Sequence, residues 1–119
     1  MPASESRLRV RRVDNVTQIE FIDRNILDEA NIQLIGEEIA ALIDAETSPR
    51  LLISFANVDH LSSAALGTLI TIRTRIEAKK GQLALANIDP QIYEVFVITR
   101  LNKLFQIHET TEEATKNFR

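Results

Sequence analysis

The sequence predicts an α/β fold in which a mixed sheet of about four to five strands carries about four helices. A continuous apolar run at residues 51–55 is typical of a strand that is covered on both faces. Elsewhere the apolar residues change from a period of two to a helical period and back, with short connections between the segments. Such alternation implies parallel strands joined by right-handed crossovers.

The chain is predicted to begin with an antiparallel hairpin. Apolar and polar residues alternate over 8–13 and again over 16–21, and Asp14-Asn15 between them suits a tight turn. The basic residues of the first arm indicate the solvent face of an edge strand, which positive charge protects from pairing with another chain. These residues are Arg7, Arg9, Arg11 and Arg12.

Two amphipathic helices flank the central strand. The first is predicted to begin at the N-cap Asp28 and to end before Thr47-Ser48-Pro49, and the second to run from Ser62-Ser63 to Lys79-Lys80-Gly81, where Gly81 is expected to break it. Apolar residues at helical spacing form their buried faces. They are Ile32, Ile35, Ile39, Leu42 and Ile43 in the first helix, and Ala65, Leu66, Leu69, Ile72 and Ile76 in the second.

The last third of the chain repeats the pattern. Residues 82–86 form a predicted strand, and Asp89-Pro90 opens a helix as an N-cap followed by proline in the first turn. A short apolar stretch around 104–107 predicts the last strand, and Thr110 or Thr111 is expected to cap a terminal helix. The residues expected to bury the first of these helices are Ile92, Val95, Phe96 and Leu101, and the terminal helix is expected to contain Ala114 and Phe118.

Composition narrows the functional classes. A chain of 119 residues with 45% hydrophobic residues predicts one domain over residues 1–119. The formal charge of −3 argues against a nucleic-acid partner, because phosphate recognition requires a basic surface. The chain has no cysteine, no apolar leader and no membrane-length apolar run, so we expect a cytoplasmic protein without direct membrane insertion.

The sequence contains no recognisable catalytic, cofactor or metal motif. The glycines do not form a phosphate-binding loop, and the two histidines, His60 and His108, lack ligand spacing. A hydrolase built from Ser63, His60 and Asp28 is disfavoured, since residues three apart around a turn rarely place an imidazole behind a serine, and the glycines of a nucleophile elbow are missing. We therefore predict a protein that is not an enzyme.

Ser62 and Ser63 are the most informative residues of the predicted strand-to-helix junction. Serine is a favoured N-cap, so one of the two hydroxyls is expected to accept a hydrogen bond from a backbone amide of the first turn. The same position tolerates a phosphate, because free amides and the positive end of the helix dipole stabilise negative charge. Phosphorylation here would change what docks on the surface.

Several segments together carry a family resemblance. They are the apolar strand 52–55, the stretch Leu-Ser-Ser-Ala-Ala-Leu-Gly at 61–67 with the helix after it, Leu27-Asp28, and the closing strand-helix-strand unit from Asn87-Ile88 to Phe105. In this order they resemble the STAS domain, a family named for sulphate transporters and anti-sigma factor antagonists. The resemblance spans roughly residues 9–118, and the family usually has Asp-Ser-small-Gly-Leu-Gly at the start of the helix.

The resemblance implies that Ser63 is the serine which a serine kinase phosphorylates. Ser62 then replaces the family's aspartate and is a rival acceptor, and Ala65 replaces a glycine. Loss of the aspartate predicts weaker phosphorylation, or dependence on Asp28 or Asp59 as a substitute carboxylate.

By the same resemblance, the unphosphorylated chain binds a serine kinase of the ATPase fold that acts as an anti-sigma factor, and phosphorylation breaks this complex. A phosphatase is a candidate for resetting the switch. The alternative is a non-catalytic scaffold module of a signalling or lipid-transport assembly, without phosphoswitching, in which both serines are only caps; the oligomeric state stays open. The predicted partner surface consists of Asp28, Asp59, His60, Ser62, Ser63, Ala64, Ala65 and Leu66.

Overall fold

The computed structural model describes residues 8–118, in which the longer strands and the four helices follow the predicted order. The strands are β1 (Leu8–Val13), β2 (Val16–Phe21), β3 (Asn25–Ile26), β4 (Arg50–Ser54), β5 (His60–Leu61), β6 (Gln82–Ala86) and β7 (Gln106–His108). The helices are α1 (Glu29–Asp44), α2 (Ser63–Ala78), α3 (Pro90–Ile98) and α4 (Thr111–Lys116), with a 3₁₀ turn at Leu101–Lys103. Arg7 lies outside the described residues.

Five strands form the main sheet in the order β1-β2-β4-β6-β7. The β1–β2 pair is antiparallel and the other pairs are parallel, which confirms the predicted mixed α/β fold with β4 at its centre and β1 at an edge. Asp14 and Asn15 both have positive φ, 53° and 67°, as the turn of a two-residue hairpin requires. Short polar residues at these positions therefore fix the register of the hairpin.

The two faces of the sheet are covered unequally. Helices α1, α2 and α3 pack on one face, where Ile19, Ile53 and Leu85 of the strands form the main core with their buried residues. The small helix α4 packs on the opposite face, where Ala114 contacts Leu52 and the alanines of β6. No helix among residues 8–118 is long and apolar enough to cross a membrane.

Strands β3 and β5, each of two residues, form a separate parallel pair that was not predicted. Asn25 pairs with His60 and Ile26 with Leu61. Two residues are too few to show a period, so only the three-dimensional structure reveals this pairing. It joins the segment before α1 to the segment before α2.

Two predictions about individual residues were wrong. Val95 is exposed. In the nine-residue helix α3 the buried face consists of Ile92 and Phe96, which are four positions apart, and Val95 lies outside that face. Gly81 does not supply a left-handed break after α2; Lys80 does, with a φ of 58°. Glycine is needed at 81 for a different reason, since a Cβ there would overlap the carbonyl oxygen of Pro49.

Candidate functional site at the start of α2

The first turns of α1 and α2 lie at the same edge of the molecule. The parallel β3–β5 pair brings their preceding segments together, and the Ser62 amide continues it by donating to the carbonyl of Ile26 at 3.1 Å. Asp28 caps α1 by accepting a hydrogen bond from the Asn31 amide at 3.1 Å. The structure thus places Asp28, two residues after Ile26, at the same edge of the molecule as the serine pair.

The two serines have different roles. Ser62 is the N-cap of α2, with extended backbone, and its Oγ accepts a hydrogen bond from the Ala65 amide at 3.2 Å. Ser63 is the first residue of the helix and its side chain is exposed. Its hydroxyl forms no hydrogen bond within residues 8–118. The prediction that one of the two serines is the cap is confirmed, and Ser63 is the one whose hydroxyl stays accessible.

The start of α2 is also electrostatically suited to an added negative charge. The side chain of Ser62 satisfies the third amide of the helix, and the amides of Ser63 and Ala64 keep no partner in the described part of the chain. The first turn contains no acidic residue that would repel an anion, and the helix has sixteen residues. A phosphate on Ser63 would therefore lie at the positive end of a long helix dipole.

The loop before the site is held by an ion pair on its surface. Asp59 accepts a hydrogen bond from Arg24 Nε at 2.9 Å, and the carbonyl of Arg24 accepts from the amides of Asp59 and His60. Such an exposed pair adds little stability by itself, but here it reinforces backbone bonds that fix the loop. The side chain of His60 is exposed. Both predicted substitute carboxylates, Asp28 and Asp59, are therefore already engaged in structural contacts.

The predicted partner surface was wrong at two residues. Ala65 is 5% exposed and Leu66 is 8% exposed, because both belong to the stripe of α2 that faces the sheet. Ser63 and Ala64 remain on the outside of the first turn, with Gly67 one turn further along.

One exposed apolar residue near the site was not assigned to it by the sequence analysis. Leu27, which directly precedes the cap of α1, is 54% exposed, and it follows Ile26, whose carbonyl accepts a hydrogen bond from the Ser62 amide. Leu27 is apolar but has no place in the apolar period of the first helix, and that mismatch is the signal that could have identified it. Together with Ala64 this side chain gives the site an apolar contact surface.

The structure does not assemble catalytic groups here. Within residues 8–118, no hydrogen bond joins Ser63, His60 and Asp28. In the same part of the chain, no cluster of three or more histidine, aspartate or glutamate side chains could hold a metal ion. The chemistry available is that of one free hydroxyl at a helix N-terminus.

Alanine substitutions should separate the two serines. We expect Ser62→Ala to lower the free energy of unfolding by about 1 kcal/mol, because it removes the cap of α2. Ser63→Ala should change it by less than about 0.5 kcal/mol, since the Ser63 hydroxyl bonds to no described residue. Urea denaturation followed by circular dichroism measures both. Equal losses for the two variants would contradict the assignment of the cap to Ser62 alone.

Comparison with known proteins gives the family. A family model for the STAS domain matches residues 7–114. BtrV of Bordetella bronchiseptica, named as an anti-sigma factor antagonist, is 25% identical over 96 residues, which cover 81% of this chain and 82% of that protein.

Solved structures share the fold. A STAS domain protein from Planctomyces limnophilus has a TM-score of 0.82 and 24% identity, over 93% of this chain and 96% of that one. The phosphorylated form of the Bacillus cell fate determinant SpoIIAA has a TM-score of 0.70 and 22% identity, over 94% and 99% of the two chains. Since the family model covers nearly the whole chain, this protein belongs to the STAS domain family.

Proposed function

We propose that this anti-sigma factor antagonist-like protein binds a serine-kinase anti-sigma factor and is switched off by phosphorylation of Ser63. The observation that carries the proposal is the exposed, unbonded hydroxyl of Ser63 beside the capping hydroxyl of Ser62. A kinase can reach the first without disturbing the second. Phosphorylation would therefore leave the helix cap, and with it the fold, in place.

A phosphate on Ser63 would oppose partner binding through charge and hydration. The neighbouring surface carries the apolar side chains of Leu27 and Ala64, which can be covered by a partner while the serine is neutral. Burying roughly two added negative charges against such a surface costs a few kcal/mol unless the partner supplies cations. A difference of about 1.4 kcal/mol already changes affinity tenfold, so the modification is sufficient for a switch.

Ser62, which stands where the family usually has an aspartate, keeps the helix-capping role of that residue and loses its negative charge. Serine and aspartate are equally good N-caps, so the start of α2 is preserved by the hydroxyl of Ser62. The charge is lost, and Asp28 and Asp59 are already bound to Asn31 and Arg24. We propose that Ser63 is phosphorylated without a neighbouring carboxylate, which makes its modification slower than in a Ser62→Asp variant.

The names of two similar proteins support the proposed antagonist function and its control by phosphorylation. BtrV is named as an anti-sigma factor antagonist, and SpoIIAA has been determined in a phosphorylated form. The kinase, the phosphatase and the output are parts of our proposal for this chain.

Phosphorylation can be tested directly. The purified chain is incubated with Mg-ATP and a lysate of its source organism, and its phosphopeptides are mapped by mass spectrometry. We expect phosphate on Ser63 that persists in Ser62→Ala and disappears in Ser63→Ala. Phosphate on Ser62, or none beside a phosphorylated control substrate, would contradict the proposal.

Binding can be tested with the kinase so identified. We expect Ser63→Asp to weaken its binding at least tenfold, because the added carboxylate stands for part of the phosphate charge. Ser48→Asp adds the same charge at an exposed loop position away from the site and should bind like the unchanged chain. Calorimetry in the presence of ADP gives the dissociation constants, and equal values for the two variants would refute the switch.

A scaffold function is the second candidate, and one surface favours it. Helix α3 exposes Tyr93, Val97 and Ile98, the last with 73% of its surface accessible. Glu94 and Arg100 at this surface form no ion pair within residues 8–118, and antiparallel packing of two α3 helices would bring them together. The scaffold function therefore requires a second copy of the chain bound at this surface of α3.

Sedimentation velocity separates the two candidates. The scaffold function predicts a dimer. Ile98→Glu should convert this dimer to a monomer, and Ser63→Asp should leave it intact. A concentration-independent monomer would refute it and leave the phosphoswitch unaffected.

A further inference from the structure

A groove of about 930 Å³ lies on the α4 face of the sheet, away from the start of α2. It exists because α4 is only six residues long and contacts β4, β6 and β7, which leaves the β1–β2 half of this face uncovered. Leu52 and Val16 form part of its floor, and Thr115 and Phe118 line it from the side of α4. Its volume is within the range of small-molecule sites.

The positive charge at one end of the groove has no ion-pair partner among the described residues. Arg50 is half-buried, its Nε has no hydrogen-bond acceptor within residues 8–118, and its guanidinium lies 5.7 Å from the centre of the Phe118 ring. It forms no ion pair within residues 8–118, and neither do Arg11 and Lys116, which also line the groove. An anion bound at the accessible part of the Arg50 guanidinium would compensate this charge.

The carboxylates of the groove form no ion pair with Arg50, Arg11 or Lys116 within residues 8–118. Glu20 lies 3.7 Å from Arg9, so these two groups neutralise each other. The pairing register places them level with Ser54, at the other end of β4 from Arg50. Asp14 and Glu112 line the groove without forming an ion pair to the described cations.

The opposite end of the groove offers a hydroxyl donor. Ser54 is 8% exposed, and its Oγ accepts hydrogen bonds from the Ala56 amide and from Asn87 Nδ2, at 3.3 and 3.0 Å. Asn87 has a φ of 59° and donates its second hydrogen to Thr111 at 2.8 Å. With both acceptor positions of Ser54 used, its own proton is left to donate, and no described residue accepts it.

We propose that the groove binds an elongated small organic anion. Its carboxylate or phosphate would contact Arg50 and Lys116, and its middle would pack on Leu52, which the pairing register places level with Arg11. A hydrogen-bond acceptor at its far end would meet Ser54, about 13 Å away along β4 by the rise of a strand. This site is separate from the proposed switch at Ser63, so a failure of one proposal does not affect the other.

The test is a nuclear magnetic resonance titration of the ¹⁵N-labelled full chain with AMP, dodecanoate and inorganic phosphate in separate experiments. We expect AMP to shift the amide signals of Val16, Leu52 and Thr115 in a saturable manner below about 1 mM, a range typical of small ligands. Dodecanoate lacks a distal acceptor and should bind more weakly than AMP; tighter binding of dodecanoate would contradict the role of Ser54. Absence of groove shifts with all three probes would overturn the proposal.

Variants make the assignment specific. Arg50→Gln should weaken binding at least tenfold, and Arg11→Gln, which changes an exposed side chain and should not affect folding, about threefold or more. Arg75→Gln removes an arginine that pairs with Asp44 elsewhere and should bind normally. Equal affinity of all three variants, or shifts confined to the start of α2, would overturn the proposal.

Discussion

The Gly81→Ala variant is expected to lose about 3 kcal/mol of its free energy of unfolding, because the new methyl group has no space. Its Cβ would overlap the carbonyl oxygen of Pro49 and lie 2.9 Å from Pro49 Cγ. That carbonyl accepts a hydrogen bond from the Gln82 amide at 2.8 Å, next to the first paired residues of β4 and β6. The backbone must therefore move where the two central strands begin to pair.

Gly67 provides the matched control. It lies inside α2, and a Cβ there would meet nothing within 4 Å. Gly67→Ala should raise the free energy of unfolding by about 0.5–1 kcal/mol, since alanine restricts the unfolded chain and favours the helix. Urea denaturation of both variants gives the comparison. A Gly81→Ala variant as stable as the unchanged chain would contradict the prediction, because it would show that the backbone at Pro49 can move at little cost in free energy.

Most of the fold could be predicted because its local signals agree. Asp28 and Asp89 cap the helices that they were predicted to cap, and the Asp14-Asn15 turn has the positive φ angles that its residues tolerate. The apolar run of β4 lies in the middle of the sheet, as a strand covered on both faces must. The β3–β5 pair could not be predicted, since two-residue strands depend on partners 35 positions away in the sequence.

The candidate site was predicted less completely. The junction and the exposed Ser63 were identified, but Ala65 and Leu66 were assigned both to the buried face of α2 and to the partner surface. A side chain that packs on the sheet cannot also form the contact surface, and burial decides between the two. The apolar surface comes instead from Leu27, which helical periodicity does not detect because the residue precedes its helix.

Family membership agrees with the absence of catalytic motifs in the sequence. The STAS domain is a regulatory domain without catalytic activity, so the prediction that the chain is not an enzyme is confirmed by family membership. The proposed regulation therefore acts through the surface. In this chain the surface around Ser63 depends on the loop that connects β4 to β5.

Phe55 ties that loop to the core, and its replacement should have a large effect. Its side chain is 1% exposed, and its ring centre lies 5.2 Å from that of Phe21. Its amide donates to Ala86, and its carbonyl accepts from Val58 in the turn that leads to β5. We expect Phe55→Ala to lower the free energy of unfolding by about 3–5 kcal/mol, because a large cavity would remain between the sheet and the loop.

Thermal and urea denaturation measure this loss, which corresponds to a melting temperature lower by roughly 12–20 °C. Phe55→Leu keeps most of the apolar volume and should lose less than half as much. In the leucine variant, hydrogen exchange should accelerate at residues 56–61 before it does in α1, because the Val58 amide bonds to the carbonyl of residue 55 and both residues belong to the same core cluster. Uniform acceleration through both segments would contradict this, and would mean that Phe55 supports the fold as a whole and the Ser63 surface only indirectly.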